Sequence, residues 1–191
     1  MGMRDIIIND ILIPALMLLY KMDYVNISDG VSERNICARL AFHLENIMRQ
    51  YDSTHCPEAF RNYYADVEYD RKNHIYQKFY ENERHEAIPM ISDLLIQSRG
   101  EDRNYLAVEM KRWKNYNKRR EDRIRLRALV SPVPRNNELN CVYGTIVGAF
   151  IIYSKERVKI ELYENRDGDG AKTDNDLNFR YDEMLRELVR I

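Results

Sequence analysis

Cysteine, glycine, proline and tryptophan are all scarce in this 191-residue chain, and each scarcity removes a class of function. The three cysteines, Cys37, Cys56 and Cys141, are odd in number and scattered without a C-x-x-C pair. No disulfide framework is expected, and the thiols read as reduced in a cytoplasmic chain. The four histidines, His43, His55, His74 and His85, form neither H-x-H nor H-E-x-x-H, which argues against zinc. With seven glycines there is no Walker loop, no dinucleotide-binding fingerprint and no G-x-S-x-G elbow, so nucleotide hydrolysis, dehydrogenation and serine-hydrolase chemistry are set aside. A long hydrophobic run is also missing. The most apolar stretch, Ile6 to Tyr20, is broken by Asn9-Asp10 and Pro14 and falls short of the roughly 20 residues a membrane span needs. It ends without a small-residue cleavage site, and Ile6 stands where myristoylation expects Ser or Thr. A core helix, or the interface of a homodimer, is the expectation there. Nor is there an excess of one charge: 30 Lys and Arg meet 31 Asp and Glu, net −1, which denies a general attraction to nucleic acid.

What is present centres on two strand-like runs, Met90 to Gln97 and Tyr105 to Lys111, around a turn-rich linker with Glu101 at its midpoint. Folding the hairpin about Glu101 sets Asp93 opposite Glu109, Leu95 opposite Ala107 and Gln97 opposite Tyr105. The other side then shows Ser92 with Met110, Leu94 with Val108 and Ile96 with Leu106. One face is apolar and the other carries paired acids. Carboxylates about 5 Å apart repel by roughly 3 kcal/mol at an effective dielectric near 20. A shared divalent cation relieves that cost, and Mg²⁺, with Mn²⁺ as substitute, suits one or two carboxylates completed by water and phosphate oxygens. Lys111, two residues after Glu109, points to the same face and is placed to orient water or neutralise charge in a transition state. The same residues also read as a solvated acid at a strand start beside an exposed Glu109–Lys111 pair.

Along the rest of the chain Ser32 is positioned to cap a helix from Glu33 to Gln50, with Ile36, Leu40, Leu44 and Ile47 on one side. A strand is expected at Tyr64–Tyr69, a helix at Arg119–Val130, strands at Cys141–Tyr153 and Val158–Tyr163, and a closing helix at Tyr181–Val189. Gly144 and Gly148 fall in a strand and mark a bulge or close packing. Asp167-Gly-Asp169-Gly, followed by Asp174 and Asp176, fails the EF-hand spacing and reads as a solvated turn.

Ser92-Asp93 followed by Glu109-Met110-Lys111 resembles the motif of the PD-(D/E)XK, or restriction-endonuclease-like, nuclease superfamily, with Ser92 where proline is usual. The likeness extends from about Val31 to Leu162. It is closest in kind to small stand-alone bacterial members, through Ser32-Glu33-Arg34, the acidic-aromatic strand around Asp66 and Glu68, and Arg99-Gly100. The resemblance implies a single α/β domain with a mixed central sheet flanked by helices in α-β-β-β-α-β order. Residues 1–30 would form an N-terminal helical extension, 31–163 the core, and 164–191 an acidic turn and C-terminal helix. It further implies that the Met110 backbone carbonyl joins Asp93 and Glu109 at the metal, that Glu33 is a helix-borne acid of the site, and that Glu68 is a further contributor.

From Lys111 to Arg127 cations outnumber the acids Glu121 and Asp122, with Trp113 and Tyr116 interleaved. This basic stretch adjoins the acidic pocket, so Arg112, Lys114, Lys118, Arg119, Arg120 and Arg123 are expected phosphate contacts. The competing description is an amphipathic helix with a solvated face, Trp113 packing beneath it. The expected function is a Mg²⁺-dependent endonuclease, DNA favoured over RNA. The alternatives are a non-catalytic module of the same fold, binding nucleic acid or a protein, and a subunit that needs a partner for recognition.

Overall fold

Pro14 has no amide hydrogen to donate, and the helical ladder ahead of it is widened. Met3–Asp5 is α-helical, Ile6–Leu12 is a π-helical stretch whose next amide, Ile13, reaches the Ile8 carbonyl, and Ile13–Met22 (α1) returns to α geometry. A short helix, Tyr24–Ser28 (α2), leads to Glu33–Thr54 (α3), whose N-cap Ser32 accepts the Asn35 amide at 3.2 Å. Strands Tyr63–Val67 (β1), Leu94–Ser98 (β2) and Asn104–Arg112 (β3) precede the helix Arg119–Val130 (α4). Then come Val147–Tyr153 (β4), Arg157–Arg166 (β5), Asp169–Lys172 (β6), Leu177–Asp182 (β7) and Glu187–Arg190 (β8). The computed structural model describes residues 2–55, 58–68, 71–72, 76–77, 79–81, 87–89, 91–99, 104–131, 144–166, 169–173 and 176–191. Cys56, His74, His85, Gly100, Glu101, Cys141, Asp167 and Asp174 lie outside them.

The chain is a mixed α/β structure around one eight-stranded sheet in the order β1-β2-β3-β4-β5-β7-β8, with β6 paired to β5. Every ladder is antiparallel except β3 with β4, which is parallel and joined through α4. Short ladders, 71–72 with 76–77 and 79–81 with 87–89, lie between β1 and β2 in the chain. The hairpin register matches its expectation at Leu94–Val108, Leu95–Ala107 and Ile96–Leu106, then shifts, so that Gln97 meets Asn104 rather than Tyr105.

Both sheet faces are covered. Leu94, Ile96, Leu106 and Val108 pack under the N-terminal helical segment and α3, while Leu95, Ala107, Phe150 and Ile152 pack under Leu126 and Leu129 of α4. The acid-bearing face is therefore a second buried layer, a correction to the expected one-sided hairpin. Gly148 allows the close approach of α4: a Cβ there would stand 3.1 Å from Tyr163 Cβ and 3.2 Å from Val130 Cγ1. The N-terminal apolar stripe, with Ile7, Ile11, Ala15 and Leu19 fully buried, is covered by α3 and β8 of the same chain. Asp23, at the end of α1, ties that segment to α3 through Arg39 Nε (2.7 Å) and His43 Nε2 (2.6 Å). Among the described residues no helix is long and apolar enough to cross a membrane.

The expected C-terminal helix over Tyr181–Val189 is absent, and β7 and β8 form a hairpin there. Leu177, Phe179 and Tyr181 alternate with polar residues and two of them are buried against the core. Asp182, which resembles a helix cap in sequence, accepts the Met184 and Leu185 amides and makes a turn, leaving both of those side chains exposed.

Candidate active site

Strand β3 delivers Glu109 and Lys111 to its C-terminal end, where the parallel β4 and the two helical layers meet. Asp93 precedes the first residue of β2, and its Oδ2 accepts the Met110 amide at 2.7 Å. Since a strand residue's N–H and C=O leave on the same side, the Met110 carbonyl faces the same gap beyond the start of β2. Glu33, the first residue of α3, is fixed by the Arg112 amide (3.0 Å) and Asn115 Nδ2 (3.2 Å) on Oε1. Its Oε2 lies 3.5 Å from Lys111 Nζ. The structure thus brings Asp93, Met110, Lys111 and Glu33 together from three separated segments.

Glu109 is fully buried and clasped on both carboxylate oxygens by Arg125 of α4, at 2.9 and 3.1 Å. Arg125 also pairs with Asp122, whose other oxygen is buried without a hydrogen bond and lies 3.5 Å from Lys111 Nζ. Burial pushes the Glu109 carboxyl up to about 8 against the pull of Arg125, with Asp93 and Asp122 adding to the rise. Asp122 is likewise raised by burial. For Lys111 burial works downward, yet Asp93, Asp122, Glu33 and Glu109 together hold its ammonium above the usual lysine value. Cys37, one turn along α3 from Glu33, is pushed up by burial and then by Asp93, Glu109 and Glu33, so it stays a protonated thiol.

Other expected contributors are placed differently. Glu68 pairs with Arg34 at 3.1 Å, and its amide donates to the Asp93 carbonyl. Arg119 donates to the carbonyls of Arg112, Trp113 and Asn115, and Arg123 is bidentate to Glu161 at 2.8 and 3.0 Å. Both are engaged within the chain, Arg119 with main-chain carbonyls and Arg123 with a buried carboxylate. Lys114, Lys118 and Arg120 are exposed, and Arg112 reaches the Val31 carbonyl.

The sequence reading missed Arg125 and Asp122 as parts of the site, although a signal was there. Asp122 precedes Leu126 by four residues and Arg125 precedes Leu129 by four, the spacing of one inward helix face. No protein-family model matches the chain, and no curated protein matches its sequence.

Proposed function

We propose that this protein is a divalent-metal-dependent endonuclease, with DNA favoured over RNA, acting at Asp93, Glu109, Lys111 and Glu33. The observation that carries this reading is one half-buried lysine in the field of carboxylates from four elements: Asp93, Glu109, Asp122 and Glu33. A concentration of acids this costly is expected where a cation or a phosphate must be handled.

The donor set fits a hard cation. It is made of oxygen atoms, and beside it Asp122 Oδ2 is buried 3.5 Å from Lys111 Nζ. Asp93, Glu33 and the Met110 carbonyl are the groups that would hold Mg²⁺ or Mn²⁺, and Glu109 would join them only with its Arg125 hydrogen bonds broken. When bound, the ion supplies Lewis-acid polarisation and an acidified water. Lys111, held protonated by its neighbours, offers positive charge to a phosphate oxygen, and Glu33 and Asp122 fix where that charge stands.

A second reading, a non-catalytic module of the same fold, is favoured by one feature: both Glu109 oxygens are already taken by Arg125. Purified protein incubated with plasmid, linear and single-stranded DNA and RNA, with and without Mg²⁺ or Mn²⁺, separates the two. The endonuclease reading expects metal-dependent cleavage lost in Lys111→Ala. It also expects a metal-induced rise in Tm that persists in Lys111→Ala and disappears in Asp93→Asn. Binding without cleavage under every condition selects the module.

A further inference from the structure

A groove of about 420 Å³ opens beside the site, between the end of β3 and the turn from β4 to β5. That size falls in the range of roughly 300–1,000 Å³ typical of small-ligand pockets. Arg112, Lys114, Lys155 and Arg157 line it against a single acid, Glu156, so it is strongly positive in a chain of net charge −1. Lys114 and Lys155 are exposed and have no ion-pair partner among the described residues. The Arg157 guanidinium carbon lies 3.9 Å over the Trp113 ring, and Arg157 is exposed. The turn is preset, because Ser154 Oγ accepts the amides of Glu156 and Arg157 at 3.2 Å each. Two further features shape the wall around Arg112. The buried Tyr153 hydroxyl has the Arg112 guanidinium as its polar neighbour. Gly30, at φ +76°, lets the chain pass Arg112 where a Cβ would stand 3.0 Å from Nη1.

We propose that this groove seats one nucleotide unit, its phosphate held by Lys114, Lys155 and Arg112 and its base laid on the Arg157–Trp113 stack. Arg112 ties the groove to the candidate active site, because its amide and Lys111 Nζ share the Glu33 carboxylate. The inference rests on the endonuclease reading for the identity of the ligand, and it places the substrate strand on the β4–β5 turn rather than along α4. Phosphate contacts fix a strand regardless of sequence, and bases stack on flat side chains with little preference among them.

Binding of a short 3′-labelled single-stranded DNA is measured in EDTA, which removes cleavage from the readout. Lys114→Ala/Lys155→Ala, both at exposed positions, should weaken binding and lower the log-log salt slope by about 0.7 per lost contact. Arg157→Ala should weaken binding on the order of tenfold for normal DNA and much less for an abasic strand. Competition by a deoxynucleoside monophosphate at similar concentration assigns the seat to free nucleotide, and competition by polymer alone assigns it to a strand. Parent-like affinity and slope in the double-lysine variant overturn the proposal. The two readings fail separately. Weakened binding without any metal-dependent cleavage leaves the groove and removes the nuclease, whereas Asp93-dependent cleavage with unaltered binding does the reverse.

Discussion

The two faces of the sheet are equally dry and chemically unlike. Under α1 and α3, Leu40, Leu44, Leu94, Val108 and Ile151 are fully buried in an aliphatic layer. Under α4 the same depth holds Leu95, Ala107 and Phe150 together with Glu109, Asp122 and Glu161. Desolvating an ion pair is costly, and well-packed hydrophobic replacements are commonly neutral or more stable by about 1–4 kcal/mol. The α4 face, with three buried acids, therefore gives up more stability than the α3 face, where Asp23 with Arg39 and His43 is the buried ionic group. What it gains is position: Arg125 and Asp122 hold Glu109 and Lys111 in one arrangement at the end of β3.

The largest effect should come from breaking that arrangement on one side only. Arg125→Ala leaves Glu109 buried and unpaired, and urea unfolding at about pH 9 should show a loss of about 3–5 kcal/mol. The double variant Glu109→Leu/Arg125→Met should recover most of that loss, and on the endonuclease reading it should not cleave. On the other face, Leu40→Ala should cost about 2–5 kcal/mol by cavity formation, without changing cleavage per folded molecule. A double variant as unstable as Arg125→Ala would mean that the pair is structural, and the contrast between the faces would collapse.

pH should affect the two faces with opposite sign. Asp23, in the α1–α3 layer, is raised by burial but lowered more by Arg39 and His43, ending below its ordinary value. A depressed folded pKa stabilises above the unfolded value near 3.9, and that contribution is lost as pH falls through the folded pKa. Glu109 is displaced upward, to about 8. Folding favours its neutral form, so its contribution is complete below the unfolded value near 4.3 and is lost as pH rises through about 8. Denaturation midpoints across this range should decline less toward high pH in Glu109→Gln and less toward low pH in Asp23→Asn. Parallel pH curves for Glu109→Gln and the parent would remove the argument from burial.

The α3 face was the more legible in sequence. Alternation of Leu94 and Ile96 against Leu106 and Val108 fixes the hairpin register by apolar pairing, and the i, i+4 stripe through Ile36, Leu40 and Leu44 marks the helix above it. The α4 face was harder to read because its inward positions include Asp122 and Arg125, which composition assigns to a basic, solvated stretch. Charge type argues for water there, and only the phase of Leu126, Leu129 and Val130 argues for burial. The C-terminal hairpin failed for a related reason: Met184, Leu185 and Leu188 mimic helical spacing, while Arg186, at φ 53°, closes a turn that spacing alone does not reveal.

The smallest expected effect lies where the two faces meet, at the first turn of α3. Ser32 Oγ accepts the Asn35 amide at 3.2 Å, and Ser32→Ala should cost about 1 kcal/mol. Ser53, near the other end of the helix, donates to the Gln50 carbonyl on an exposed surface. Ser53→Ala should therefore stay within about 0.5 kcal/mol of the parent. Glu33 follows the cap directly and holds the Arg112 amide, Asn115 and Lys111. If the cap sets the position of that carboxylate, Ser32→Ala should reduce cleavage well below the parent's rate under conditions where both proteins are fully folded. Ser53→Ala then serves as the control for a helix change remote from the site. Equal cleavage in Ser32→Ala and the parent, alongside the expected stability loss, would assign the positioning of Glu33 to the Arg112 and Asn115 hydrogen bonds instead of the helix cap.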